Sequence, residues 1–250
     1  MTPFIEYRGI EKSFGTKRVL RGLDLEVRKG ETLVVLGGSG TGKSVLLKLA
    51  IGLMGVDAGR ILVEGDDVTD LDEARWMGVR SRISYMFQWG ALFDSMSVLD
   101  NVAFPLREAR KLDEGALVER ALERLGLVGL RDAAQLFPAD LSGGMRKRVA
   151  LARSIVMDPA CILYDEPTSG LDPVTADTID RLILRMQKIL GVTSVVVTHD
   201  IRSMFKIADR VAFLYEGRMA FVGTPDEARN ADHPVLRGFI EGRGPDESEL

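Results

Sequence analysis

Residues 37–44, GGSGTGKS, constrain this chain more than any other stretch. Gly37, Gly42, Lys43 and Ser44 fall at the spacing of a phosphate-binding loop, which works only between a strand and a helix. The apolar TLVVLG before it and the apolar stretch Ser44–Met54 after it predict both. Gly37, Gly38, Gly40 and Gly42, with Ser39 and Thr41 between them, let backbone N–H groups curl around phosphate oxygens. The helix start adds positive potential. In such a loop Lys43 reaches the β- and γ-phosphates of a nucleotide, and the Ser44 hydroxyl ligates Mg2+.

A loop of this kind needs a sheet to carry it. FIEYRGI, LDLEVRKG, TLVVLG and GRILVEGDDV alternate or cluster β-formers between glycines. RISYMFQ (82–88), CILYDE and TSVVVTHD read as further strands, and ADRVAFLYEGRMAFVG as a hairpin turning at Glu216–Gly217. From Trp89 to Met157 the pattern turns helical, most clearly in EGALVERALERLGL. DPVTADTIDRLILRMQKIL predicts a helix with Asp172 as N-cap and Pro173 in its first position. Apolar strands alternating with helices predict an α/β core with a mostly parallel sheet, into which the 89–157 stretch is inserted. The last residues, GRGPDESEL, read as a disordered tail.

CILYDEP ends an apolar strand with two adjacent acids. Successive strand side chains point to opposite faces, so Asp165 and Glu166 have different tasks. Pro167 cannot continue a central strand, which puts both acids at its C-terminal edge, where ligands bind in such sheets. Asp165 suits the Mg2+ shell and Glu166 a general base that deprotonates an attacking water. His199 ends another strand in the same way and is either a γ-phosphate contact or a hydrogen-bonded residue at the core edge. Gln88 also stands at a strand end, facing Mg2+ or the water; by spacing alone it is a polar loop residue. His233 reads as a surface residue.

A second glycine run, LSGGMRKRVALARS, lacks the lysine of a complete phosphate loop. Ser142 predicts the N-cap of a helix beginning near Met145, with Met145, Val149, Ala152 and Val156 on one stripe. Arg146, Lys147 and Arg148 crowd the first turn, where the helix dipole favours acids. They are either a solvated basic face or part of an anion-attracting end.

Net charge is −4, which gives no electrostatic reason to expect nucleic acid as a partner. Cys161 is the only cysteine, so no disulfide forms within the chain, and its apolar surroundings predict a buried thiol. The N-terminal residues do not read as a secretory signal, and no stretch approaches the roughly 18 apolar residues of a membrane span. Any work at a membrane therefore needs a second protein.

In order and spacing, GGSGTGKS, Gln88, LSGGM, ILYDEP, SGLD and His199 resemble the ATP-binding cassette (ABC) ATPases over nearly the whole chain. The resemblance implies a P-loop NTPase core with an N-terminal antiparallel β subdomain and an inserted α-helical subdomain, in one domain spanning 1–243. It implies ATP and Mg2+ as cofactors, with Ser44, Gln88 and Asp165 on the metal. Ser142 and Gly144, within Leu141, Ser142, Gly143, Gly144 and Met145, would grip the γ-phosphate of ATP held by a second copy, in a head-to-tail sandwich. The pattern often has glutamine where Met145 stands. Ser169, Gly170, Leu171 and Asp172 would form the loop linking the two sites. Phe14 would stack on adenine; core packing is its other reading.

FQWGALFDSMSVLDNVAFPLRE (87–108), the LSGGMRKRVALARS variant and FIEGRGPDE resemble the Mla/Mce branch. That implies an ATPase powering phospholipid or related lipid transport between inner and outer membrane. Implied partners are integral permease subunits and an MCE-domain lipid-binding protein, with this chain cytoplasmic and peripheral on the inner membrane. Ala91, Leu92, Phe93 and the helix after them would meet the permease, with Trp89 where relatives commonly have a small residue. Residues 233–243 would touch a partner subunit. Two other readings are an ATP-gated structural clamp and a cassette ATPase for another substrate class.

Overall fold

The computed structural model describes residues 3–109 and 113–243. The chain divides into two compact units, one running to Val79 and resuming at Thr193, the other Arg80–Val192. The first begins with β1 (Ile5–Phe14), β2 (Lys17–Val27), β3 (Thr32–Leu36), α1 (Lys43–Ala50), β4 (Ala58–Val63), β5 (Asp66–Asp67) and α2 (Glu73–Arg80). The second holds β6 (Ile83–Met86), α3 (Val98–Ala109), α4 (Glu114–Leu127), α5 (Gly143–Ser154), β7 (Cys161–Asp165) and α6 (Pro173–Leu190). The first then resumes with β8 (Thr193–Thr198), α7 (Ile201–Ile207), β9 (Arg210–Tyr215), β10 (Arg218–Gly223), α8 (Pro225–Arg229) and α9 (Pro234–Glu241). This is the expected α/β class: parallel strands with helices, an N-terminal antiparallel sheet, and helices α3 to α5 between β6 and β7.

In the first unit β1, β2, β4 and β5 form an antiparallel sheet in the order β2-β1-β4-β5. β3 runs parallel to both β8 and β9, and β10 closes the edge antiparallel to β9. Every residue of β3 and β8 is buried, as a parallel strand covered on both faces requires. β2 instead mixes buried and exposed positions along its length, as a strand with one wet face does. The β9–β10 hairpin turns at Glu216–Gly217 as expected, and Arg21 N donates to Gly217 O at 2.9 Å, tying the two sheets together. In the second unit β6 and β7 are parallel, with Met86 opposite Tyr164. Cys161 is fully buried, and burial pushes its thiol pKa up.

Two boundaries differ from the sequence reading. α1 ends at Ala50, short of Met54, because Gly52 enters the left-handed region at φ +64. Gly52 N bonds Leu49 O and Leu53 N bonds Lys48 O, the paired closure that stops a helix at glycine. A Cβ on Gly52 would lie 2.2 Å from the Trp76 ring, so only glycine fits. The helical stretch opens at Val98, not Trp89; residues 87–97 form a loop held by side chains from α3 and α5. The expected tail at 244–250 lies outside the described residues. Among those described, no helix is long and apolar enough to cross a membrane.

Candidate functional site

β3 delivers the chain to the phosphate loop. Leu36 pairs with Thr198 of β8, so Gly37 and His199 leave adjacent strands at one edge. A Cβ at Gly37 would meet Leu214 O at 2.7 Å, and one at Gly42 would meet Val19 Cγ1 at 2.7 Å. Gly42, at φ 109, is also the N-cap of α1 and has no side chain with which to close the helix end. Lys43 is buried, and its Nζ donates to Gly37 O at 2.8 Å and Gly38 O at 3.0 Å. Thr41 Oγ1 donates to Gly38 O at 2.9 Å. Ser39 and Gly40 stay exposed at the rim.

Beside the loop lies an open cleft of about 320 Å³, lined by Phe14, Lys17, Val19, Gly42, Lys43 and Ser44 among others. Phe14 is 45% exposed, and Lys12 Nζ sits 5.7 Å from its ring centroid. Its ring is therefore a cleft wall, which rules out the core-packing reading. His199 is exposed, and the next residue, Asp200, caps α7 by accepting from Arg202 N at 2.8 Å. This unit offers a nest of backbone donors, one buried ammonium and an aromatic wall, a set suited to a nucleotide.

In the second unit the two acids part as their strand position requires. Asp165 is the last residue of β7, and its Oδ2 accepts from Tyr85 OH on β6 at 2.8 Å. Glu166 lies just beyond, buried, with φ 48 in the left-handed region. For a residue other than glycine that conformation costs on the order of 1–3 kcal/mol and persists only where surroundings enforce it. Gln88 follows β6, and its Nε2 donates to Ser169 Oγ at 3.3 Å. That contact puts Gln88 beside the end of β7, which its spacing alone left open.

The second glycine run abuts the 169–172 loop. Ser142 Oγ accepts from Met145 N at 3.3 Å and caps α5, which starts at Gly143, ahead of the expected Met145. Leu141 is buried and Met145 half-buried. A Cβ on Gly144 would lie 2.4 Å from Thr175 Cγ2, and one on Gly143 would lie 3.6 Å from Leu171 Cδ2. Asp172 caps α6 as expected, accepting from Val174 N and Thr175 N at 3.0 Å each. Gly170 turns the loop at φ +76. Val156 falls past the end of α5, so the expected stripe stops short of it.

Because α5 starts at Gly143, the three cations fall around its second turn, and they differ: Arg146 is exposed, as a solvated face expects, Arg148 is half-buried and Lys147 is buried. Each donates to a backbone carbonyl of its own unit: Arg146 to Leu141 O at 2.6 Å, Arg148 to Val128 O at 3.2 Å, and Lys147 to Gln88 O and, at 3.1 Å, Glu166 O. Lys147 is only 5% exposed; burial lowers its ammonium to about 8, while the Glu166 and Asp165 charges pull it back up. Tyr85 and Lys147 are the site residues that sequence reasoning missed. Tyr85 belongs to no local pattern, and the charge run that holds Lys147 does not say that this member turns inward; each finds its partners across the fold.

The 87–97 loop presents Trp89, 75% exposed, and Phe93, 41% exposed, with Ala91 at φ 46 and Leu92 half-buried. Arg153 donates to Gly90 O at 2.6 Å and Ala91 O at 2.8 Å. His233, expected on the surface, is half-buried and caps α9, its Nδ1 accepting from Leu236 N at 3.2 Å.

A family model described as ABC transporter matches residues 20–169. Over 239 residues the chain is 41% identical to a Mycobacterium leprae protein named probable ribonucleotide transport ATP-binding protein, covering 96% of this chain and 69% of that one. It is 38% identical over 238 residues to the Escherichia coli intermembrane phospholipid transport system ATP-binding protein MlaF, covering 95% and 88%. A solved dimeric ATP-binding cassette in a post-hydrolysis state, bound to ADP and Pi, superposes with a TM-score of 0.81 at 30% identity, covering 88% of this chain and 98% of that one. The matched stretch takes in the phosphate loop, Gln88, the LSGGM run and the Asp165–Glu166 pair, and the chain belongs to the ABC transporter family as one of its ATP-binding cassettes.

Proposed function

We propose that this protein hydrolyses ATP as a head-to-tail pair and powers the movement of phospholipid or a related hydrophobic lipid through a separate permease. The observation that carries the hydrolytic part is the split at the end of β7. Asp165 stays in the strand under Tyr85, while Glu166 is turned out of it into a strained conformation. On this reading residues 1–243 act as one cassette domain, with the 89–157 stretch as its helical insertion.

Phe14 stacks on adenine, and Lys43 with the N–H groups of 37–44 binds the β- and γ-phosphates. Ser44, Gln88 and Asp165 would hold Mg2+, which neutralises phosphate charge when bound. Their hydroxyl, amide and carboxylate oxygens are hard donors with a single charge among them. Gln88 fits because its amide nitrogen is engaged by Ser169, which leaves the oxygen for a cation. Glu166 takes the proton of the attacking water as its oxygen bonds to the γ-phosphorus and the bond to the ADP oxygen breaks. His199 holds a γ-phosphate oxygen. Ser142 and Gly144 of the second copy close the other side, beside Ser169–Asp172. Once phosphate leaves, the anion that bridged the copies is gone and they part.

Ala91, Leu92, Phe93 and α3 meet the permease at the inner face of the inner membrane. Residues 233–243 touch a partner subunit, and an MCE-domain lipid-binding protein completes the complex. The lipid assignment rests on the 87–108 stretch, the LSGGM variant and the MlaF relative. The Mycobacterium leprae name favours a second reading, ribonucleotide as cargo. Purification from mild detergent with the permease, followed by ATPase assay, separates the two. Stimulation by phospholipid vesicles supports the first. Stimulation by ribonucleotides alone supports the second, and slow turnover indifferent to both points to a clamp.

A further inference from the structure

Lys147 is a buried cation that no step above uses. It lies in the second turn of α5, behind the Ser142 cap, and turns inward although its neighbours Arg146 and Arg148 are more exposed. Its Nζ joins two backbone carbonyls that are far apart in sequence, those of Gln88 and Glu166. Both belong to residues just past the paired ends of β6 and β7. Glu166 is also the residue held at φ 48, so its carbonyl direction is set by an uncommon backbone conformation that something must enforce. An ammonium between two carbonyls makes charge-assisted bonds, the strong kind, in a place where bulk water does not compete.

We propose that Lys147 is a positioning residue that locks the backbones of Gln88 and Glu166 to the start of α5. Through it, the glycine-rich end that caps the second copy's nucleotide is tied to the residues that hydrolyse the chain's own. This rests on the hydrolytic roles proposed above for Gln88 and Glu166. A rigid α5 that shifts when its N-terminus meets a γ-phosphate carries both carbonyls with it, so docking at one nucleotide sets the geometry at the other.

The full chain is assayed as wild type, Lys147→Met, Lys147→Arg and Lys147→Gln, with Glu166→Gln as a control. Readouts are kcat, KM for ATP, affinity for a fluorescent ATP analogue and thermal midpoint. Lys147→Met keeps the length and loses the donors; its kcat is expected to fall at least about tenfold, with KM and affinity within about twofold. Lys147→Arg keeps a charged donor and restores kcat to within about threefold. Should Lys147→Met not fold, the order of kcat must be Lys and Arg above Gln at equal affinity. An unchanged kcat in Lys147→Met, or in Lys147→Gln where Met fails to fold, overturns the proposal. So does a fall matched by an equal loss of affinity, or one that Arg does not repair. Turnover retained in the Glu166→Gln control instead removes the hydrolytic reading on which the proposal rests, so the two failures are distinguishable.

Discussion

If Glu166 is the base proposed here, little of what makes it so lies in its side chain. Its carboxylate is placed by a left-handed backbone, by Pro167 after it, and by Lys147 on its carbonyl. Glu166→Gln keeps size and backbone and removes the proton acceptor. Nucleotide affinity is expected to stay near wild type while turnover falls at least about a hundredfold, the lower end of what a positioned base contributes. Steady-state phosphate release beside a binding titration checks it; full turnover in this variant would take Glu166 out of the base role. The caps Ser142 and Asp172 were legible in the sequence because a cap and its N–H partners lie within three residues. The Tyr85–Asp165 contact spans 80 positions and Lys147–Gln88 spans 59, and no local pattern reports such pairs. The charge run 146–148 was legible only in part: Arg146 stays exposed and bonds Leu141 O five positions away, whereas Lys147 is buried against carbonyls 59 and 19 positions away.

At the scale of elements, strands buried on both faces were legible as unbroken apolar runs, and β3, β7 and β8 fall where TLVVL, CILYD and TSVVVT stand. The loop at 87–97 was not, because its shape comes from side chains outside it. Asn101 is fully buried in α3; its Oδ1 accepts from Phe93 N at 2.8 Å, and its Nδ2 donates to the carbonyls of Phe93, Met96 and Ser97 at 3.0–3.1 Å. One side chain thus stands in for a missing turn of backbone hydrogen bonding. Asn101→Ala removes a fully buried side chain and the hydrogen bonds it makes to Phe93, Met96 and Ser97, and the expected loss of unfolding free energy is about 1–3 kcal/mol. Urea titration measures it. A loss under about 0.5 kcal/mol, the range of ordinary surface substitutions, would show that the loop holds its shape without Asn101.

For the whole molecule, the sequence feature that bears on the proposed pairing of copies is its two unequal glycine-rich helix starts. A complete phosphate loop and a second glycine-rich helix start occur once each, and the latter carries no lysine. If Ser142 and Gly144 serve the nucleotide of another copy, defects in the two ends must complement. Ser142→Arg spoils the end a chain offers its partner and leaves its own loop and Glu166 intact. Glu166→Gln does the reverse. A pair made of one of each holds one undamaged centre: the first chain's nucleotide, its own Glu166, and the second chain's Ser142. Each variant alone holds none. With random exchange half of all pairs are mixed and each has one good centre of two, so a single round of hydrolysis should release about a quarter of the wild-type phosphate. A single round is the right readout because it does not require the two centres to alternate. Chains that each contained a finished centre would give only the sum of two inactive variants, and a mixture that releases no more phosphate than its components would refute the shared site.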